Sequence, residues 1–524
     1  MGAACLIINI KERQIKIRMF AKVDTFGLIG LSAFSVRVES STEKGTPDFR
    51  ITGLGDASIQ ESRQRVLAAM ENSGFSADKL RAVVNLYPAD IKKSGSSYDL
   101  PILISVLAAL GDISGAGEED IFIGELSLSG DLAGTAGVLP MVAAAKEKGY
   151  KRVFLPYVNV KEASLVRGIE IYGIKNIREL ADFLGGRINL TPAEPYVPKA
   201  EDYLETADFS DVKGQENIKT AVQTAAAGFH NMLMIGPPGS GKSMIAKRIS
   251  GVLPAMSFEE SIETTSIYSV AGLLDSRAPF ITRRPFRPVS HTASGAGIVG
   301  GGKIPSPGEI SLANNGVMFL DELPEFRRDV LETLRQPLED KKVVITRATG
   351  KTSYPCKTML VAAMNPCPCG NFGSANPCGC TEAAIAKYLG KISRPVLDRI
   401  DIQIEVSAVN YDQLRESKGA LSSAEIRENI EKAREIQKER FKGTGIFFNS
   451  DIPPAMLTEF CPLDEQAERF LRGIFDTLGL SARAYDRILK VARTAADIEG
   501  CQVIGKRHIS RAVQYRTLDR KYWK

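Results

Sequence analysis

Two hydrophobic rhythms alternate along the chain. In its first third, the short apolar runs FSVRVE (34–39), RAVVNL (81–86), DIFIGELSLSG (120–130) and KRVFLP (151–156) read as strands. Helix-like stretches at 58–71 and 141–148 separate them, so 1–186 is expected to be a mixed α/β domain. RINLTPAEPYVPKAEDY follows, with three prolines and several charges, and predicts an extended linker over 187–205. A second α/β segment is expected over 206–408. From 409 to 524 the period is helical: Ile426, Ile430, Ala433 and Ile436 share a face, as do Tyr485, Ile488, Leu489, Ala492 and Ala496.

Composition bounds the function classes. The 524 residues are 44% hydrophobic and 25% charged, as in globular proteins of several domains. No apolar run approaches the roughly 20 residues that cross a bilayer. The start, MGAACLIINIKERQIKIRMF, lacks a cleavage site for secretion, and Leu6 stands where myristoylation wants Ser or Thr. A cytoplasmic protein without membrane contact is expected. The net charge of +5 permits nucleic-acid binding without arguing for it. Cys5, Cys461 and Cys501 are scattered and read as buried small hydrophobes.

The chemistry concentrates in the second segment. MLMIGPPGSGKS (232–243) reads as a strand, a glycine-rich turn and a helix start, the context a P-loop requires. Gly236, Pro237, Pro238, Gly239, Ser240 and Gly241 would wrap backbone N–H groups around phosphate oxygens, with Met244 in the first helical turn. Lys242 would reach the β/γ-phosphates of ATP, and Ser243 would ligate Mg²⁺. GVMFLDE (316–322) is a strand ending in two carboxylates: Asp321 for Mg²⁺, Glu322 to polarise the attacking water. TMLVAAMNP delivers Asn365, suited to orient that water. Arg399, in RPVLDRIDIQIEV, reads either as an arginine finger for a neighbouring subunit or as a structural partner of Asp398 or Asp401. Arg483 opens a later helix, where a second arginine would sense nucleotide.

In this order the motifs resemble the AAA+ ATPases of the magnesium-chelatase/MCM-like branch. RPFRPVSHTASGAGIVGGGKIPSPGEISLANNGVMFLDELPEF, KKVVITRATGKTSYP, MNPCPCG and LDRIDI narrow the resemblance to the YifB/ComM group, from about Met19 to the C-terminus. Residues 1–18 precede the usual start and are expected to be an extension without structure. VSHT leaves His291 alone where that group has paired histidines. The resemblance implies an N-terminal Lon-protease-like α/β domain, a P-loop AAA+ core with a parallel sheet, and a C-terminal helical lid. It also implies a ring, usually hexameric, working on single-stranded and branched DNA as a branch-migration helicase in natural transformation.

Some residues support that reading independently. KKVVITRATGKTSYP has the alternation and Thr-Gly break of a β-hairpin, with Arg347 and Lys351 flanking its tip. Lys303 follows a glycine-rich stretch from which it would reach DNA. Two other classes compete. GELSLSGDLAGTAGVLPMVAAAKEKGYKRVFLPYVN resembles the proteolytic domain of Lon, and Ser97 stands where its nucleophile would be. The base position, however, falls on Leu139, and Lys146 and Lys148 lie two turns further. That region is better suited to ring assembly or, through Lys92 and Lys93, to DNA. A chelatase-type motor acting on a protein partner is the other alternative, although no Asp-x-Ser-x-Ser run is present.

Four of the eight cysteines cluster: Cys367, Cys369, Cys378 and Cys380, in MNPCPCGNFGSANPCGC (364–380). Four thiolates among glycines suit a structural Zn²⁺. Their address, directly after Asn365, predicts a knot that stiffens the region between the γ-phosphate sensor and Arg399.

Overall fold

Residues 19–114, 116–197, 207–302, 305–347, 350–373, 376–407 and 421–523 are described by the computed structural model. The expected extension over 1–18 and Lys303 lie outside them. In the N-terminal unit, β1 (Met19–Ile29) and β2 (Ser32–Lys44) pair antiparallel from Met19↔Thr42 to Ile29↔Ser32. With β3 (Asp48–Thr52), β4 (Leu80–Tyr87), β5 (Asp120–Phe122), β6 (Arg152–Pro156) and β7 (Glu170–Ile174) they form one sheet, ordered β3-β4-β2-β1-β5-β6-β7. Strand alternation sends Val36, Val38, Val84 and Leu86 to the face covered by α1 (Ala57–Asn72) and α2 (Asp99–Leu110). Phe26 and Ile121 point to the other face, beneath Val138, Met141 and Val142 of α3 (Val138–Glu147).

The second unit is built on a five-stranded sheet of parallel strands. It comprises β8 (Met232–Ile235), β9 (Phe286–Val289), β10 (Val317–Leu320), β13 (Met359–Met364) and β14 (Ile402–Glu405), ordered β9-β10-β13-β8-β14. β8, β10 and β13 are buried along their whole length, as a sheet covered on both faces demands. Outside this sheet, β11 (Lys342–Arg347) and β12 (Gly350–Pro355) make the expected hairpin, with Thr346↔Lys351 and Arg347↔Gly350 as its last pairs. Among its helices, α4 (Glu216–Gly228) precedes β8 and α5 (Lys242–Val252) follows the P-loop. Further along come α6 (Phe258–Val270) and the short α7 (Gly295–Val299).

The C-terminal helices include α8 (Ser423–Arg440), α9 (Ala482–Ile498) and α10 (Leu518–Tyr522). Ile426, Ile430 and Ala433 are buried, as their spacing predicts, but Ile436 is exposed. Gln437 takes the inward position instead, and its amide donates to the Ala227 carbonyl at 3.0 Å. A polar group at a helix–helix seam is held there because the last turn of α4 leaves that carbonyl without a helical partner.

The N-terminal unit meets the second one at α3 and α6. Gly137 N–H donates to the Ser269 carbonyl at 3.0 Å, and Ser269 Oγ donates to the buried Glu162 carboxyl. Glu162 also accepts from Leu139 N–H at 2.9 Å and from Asn159 Nδ2 at 3.1 Å, and burial pushes its pKa up.

One residue ties the sheet together at the N-terminal end of its strands. Asn231 precedes β8, and its side chain donates to the Arg399 carbonyl (2.7 Å) and accepts from Leu360 N–H (2.8 Å). Its backbone N–H donates to Asp401 (3.1 Å), and its carbonyl accepts from Asp401 and Ile402 N–H. Asn231→Ala strands two buried backbone groups and is expected to lower stability by about 3 kcal/mol in urea denaturation. A decrease below about 1 kcal/mol would mean that the sheet register does not need the side chain.

Candidate nucleotide site

The P-loop emerges from β8 and enters α5 through Gly241, whose φ of 86° caps the helix in the left-handed region. Gly236 has no room for a side chain, since a Cβ there would lie 2.2 Å from the Val406 carbonyl oxygen. The turn therefore keeps its backbone pressed against the end of β14, and α5 presents its N-terminus to an anion. Lys242, buried at 8% exposure, donates to the carbonyls of Gly236 and Pro237 at 2.8 Å each and meets Asn365 Oδ1 at 3.3 Å. Burial lowers its pKa, opposed by Asp321. An ammonium held this way, beside the turn's glycines, is poised for phosphate oxygens.

Ser243 Oγ donates to Asp321 Oδ2 at 2.6 Å. These are two hard oxygen donors at the mouth of the loop, and they fit Mg²⁺. Glu322 follows in left-handed backbone (φ 51°, ψ 48°), and its side chain is 60% exposed. The structure thus brings Lys242, Ser243, Asp321, Glu322 and Asn365 to one end of the sheet, as the sequence predicts. This is the end where parallel α/β sheets bind ligands.

Arg399 and Arg483 lie elsewhere. Both line a cleft of about 1050 Å³ that also contains Asn231 and Glu339 and no P-loop residue. Asn231 and the P-loop flank the four-residue β8, so the cleft opens about 13 Å away, at the other end of that strand. Arg399 is not paired with Asp398 or Asp401, the structural alternative that sequence spacing offers. Its guanidinium instead engages Glu339 and donates to the Pro395 (2.7 Å) and Arg335 (3.3 Å) carbonyls. Asp401 is taken by Arg487 at 3.4 Å and by Asn231. Neither Asn231 nor Glu339 is visible in the sequence as a functional residue, because neither belongs to a motif with fixed spacing.

The four-cysteine knot forms, with the Sγ atoms of all four within 4.8 Å of one another. Cys367–Cys369, Cys369–Cys378 and Cys367–Cys378 are 3.4, 3.6 and 3.7 Å apart, near the roughly 3.8 Å edge of a zinc–thiolate tetrahedron. Backbone N–H from Asn371, with the Cys367 and Cys380 thiols, draws Cys369 down to about 6. Four converging soft donors fit Zn²⁺, which would bind them as thiolates. The knot also packs on the P-loop: at Gly370 (φ 80°) a Cβ would lie 2.3 Å from Pro238 Cδ. On its other side Phe372 meets Tyr522 of α10, ring centroids 6.1 Å apart.

In the N-terminal unit no described lysine ammonium hydrogen-bonds Ser97. Leu139 is buried with its N–H on Glu162, and Lys148 is committed to Ser35 at 2.5 Å. Lys93, expected on a DNA-facing surface, is fully buried and donates to the Pro88 carbonyl. Its backbone bridges Gly55 beside β3, which carries the side chain inward.

No helix among the described residues is long and apolar enough to cross a membrane. Three family models match the chain: Subunit ChlI of Mg-chelatase over 38–159, Magnesium chelatase subunit ChlI over 208–414, and its C-terminal part over 420–516. The chain is 41% identical to competence protein ComM of Haemophilus influenzae, over 94% of this chain and 96% of ComM. It is 38% identical to YifB of Escherichia coli, over 95% and 97% respectively. Lon protease 2 of Bacillus subtilis is 28% identical over 29% of this chain and 30% of its own.

Gly370→Ala, which drives a methyl group into Pro238, is expected to weaken ATP affinity about tenfold in a fluorescent-nucleotide titration without unfolding the chain. Unchanged affinity would detach the knot from the P-loop. Purified protein is expected to carry one zinc per chain by metal analysis, and Cys367→Ser/Cys369→Ser to carry none and to share the nucleotide defect.

Proposed function

The chain belongs to the magnesium-chelatase-like AAA+ ATPases of the ComM and YifB group, and from that premise we propose that it is an ATP-driven ring motor on DNA, a branch-migration helicase that promotes integration of single-stranded DNA. One observation carries the DNA reading. The β11–β12 hairpin projects Arg347 and Lys351 at its tip, and a Cβ on Gly301, in the glycine-rich segment, would lie 3.4 Å from Arg347 Nη2. The glycine-rich segment thus converges on the basic hairpin at Gly301, and in the sequence Lys303 stands two residues beyond it. Paired cations on a protruding hairpin suit the phosphates of a strand threaded through a ring.

The chemistry divides between two subunits. In one, the P-loop N–H groups and Lys242 would hold the phosphates, and Ser243 and Asp321 would hold Mg²⁺, which when bound would supply neutralisation of phosphate charge. Glu322 accepts the proton of the attacking water, which Asn365 orients. In the next subunit, Arg399 leaves Glu339 to meet the charge that develops on the γ-phosphate, and Arg483 supports it from the same cleft. A finger at the opposite end of β8 from its own P-loop serves a neighbour, which is why the ring, a hexamer by family resemblance, is part of the reading. Zn²⁺ in the cysteine knot is structural here, and residues 187–205 link the N-terminal unit to the motor.

The test is migration of a synthetic four-way junction with ATP. Wild-type protein is expected to move it, and Lys242→Ala to fail with ATP hydrolysis reduced by at least about 100-fold. Arg347→Ala/Lys351→Ala should keep basal hydrolysis but bind single strands with a salt slope about 0.7 shallower for each phosphate the variant no longer neutralises. Hydrolysis without junction movement or unwinding would overturn the helicase reading.

A further inference from the structure

The described cysteines fall into two chemical classes. Cys356 and Cys461 are buried, and burial pushes both thiols up to about 12, so they stay protonated and unreactive. Cys501 is half-buried beside the Glu499 carbonyl and the Arg507 guanidinium. The knot differs. Cys369 is exposed, Cys378 and Cys380 are half-buried, and Cys367 alone of the four is buried. Cys369 Sγ lies 3.6 Å from Cys378 Sγ. A solvent-facing thiol with a second thiol beside it is the arrangement that reversible oxidation needs.

The turn that carries two of these thiols also touches the nucleotide site. Gly370 N–H donates to the Cys367 carbonyl at 3.0 Å, closing a tight turn over Cys367, Pro368, Cys369 and Gly370. At its last corner Gly370 (φ 80°) lies against Pro238, where a Cβ would sit 2.3 Å from Pro238 Cδ. Pro238 follows Pro237, whose carbonyl accepts from the Lys242 ammonium at 2.8 Å. A short chain of contacts therefore runs from the exposed Cys369 to the phosphate-binding lysine.

We infer that the knot is a peroxide-responsive site, in which oxidation joins Cys369 to Cys378, dismantles the four-thiolate set that suits Zn²⁺ and weakens ATP binding at the adjoining P-loop. The inference rests on the reading of the P-loop as the ATP site and of the knot as a zinc site. The Cys369 thiolate attacks hydrogen peroxide: an S–O bond forms, the O–O bond breaks, and hydroxide leaves with its electron pair. The Cys378 thiolate then attacks that sulfur, so that S–S forms, S–O breaks and a second hydroxide leaves. Two thiolates lose two electrons, the peroxide gains them, and two protons from solvent turn the hydroxides into water. Cys367 Sγ is closer to Cys369, at 3.4 Å, but Cys367 is buried and the rigid Pro368 alone separates the two residues. The new bond draws Cys369 toward Cys378, and Gly370, its neighbour in the turn, shifts relative to Pro238.

The experiment treats reduced, full-length protein supplied with zinc with hydrogen peroxide and follows three readouts. Peptide mapping after alkylation locates disulfides, a chromogenic chelator reports released zinc, and a fluorescent-nucleotide titration gives ATP affinity. Peroxide is expected to produce a Cys369–Cys378 disulfide, to release zinc in step with it, and to weaken ATP affinity about tenfold, as Gly370→Ala does. A thiol reductant with added zinc is expected to restore all three. Cys501→Ala is expected to respond as wild type does, and a variant that no longer responds would assign the effect to Cys501 and overturn the inference. So would knot thiols that survive peroxide, or a disulfide that leaves ATP affinity unchanged. If the reduced protein holds no zinc, the zinc reading falls by itself, and the disulfide and the affinity still decide the switch. If the reduced protein binds no nucleotide, the ATP reading falls and the switch falls with it.

Discussion

The five hydrogen bonds of Asn231 are the constraint on which the motor unit depends. They fix β13, β8 and β14 in one register at the N-terminal ends of the strands. A parallel sheet has no hairpins to set its register, so a polar clasp at one end does that work. With the register set, Ile235 finishes opposite Met364 while Leu320 ends opposite Ala362, and Lys242 comes within reach of Asn365 as Ser243 does of Asp321. The same clasp holds the Arg399 carbonyl and Asp401, so the arginine cleft and the phosphate end are two outcomes of a single alignment.

A second connection joins those ends around the outside of the sheet. The cysteine knot leans on Pro238 through Gly370 and on Tyr522 through Phe372. Trp523, just past α10, donates its indole N–H to the Leu389 carbonyl at 3.1 Å and accepts from Arg394 at 3.0 Å, on the helix that leads to Arg399. The four-cysteine element between the P-loop and the helix that precedes Arg399 lies on a short path from the phosphate end of the sheet to the cleft at its other end. The knot is thus better understood as a strut than as a DNA finger.

Much of this was legible in the sequence where chemistry needs fixed spacing. The P-loop, the Asp321–Glu322 strand end, Asn365 and the 342–355 hairpin are all local patterns, and local geometry realises them. What stayed hidden depends on long-range packing. Asn231 is a polar residue before an apolar strand, with nothing to mark it. Glu339 meets Arg399 across 60 positions. Lys93 reads as a surface lysine until a bridge to Gly55 turns it inward. Ile436 fits the helical period but looks outward, because the Ala227 carbonyl favours Gln437 at the seam.

The central claim is that each subunit carries two half-sites, at opposite ends of β8, completed only by a neighbour. Mixing separately inactive Lys242→Ala and Arg399→Ala proteins tests it most directly. In mixed rings an intact P-loop of the Arg399→Ala chain faces an intact Arg399 of the Lys242→Ala chain. The account predicts that ATP hydrolysis reappears on mixing, well above the sum of the two alone. A mixture no more active than its components would place Arg399 with its own nucleotide, or outside catalysis altogether, and contradict the account.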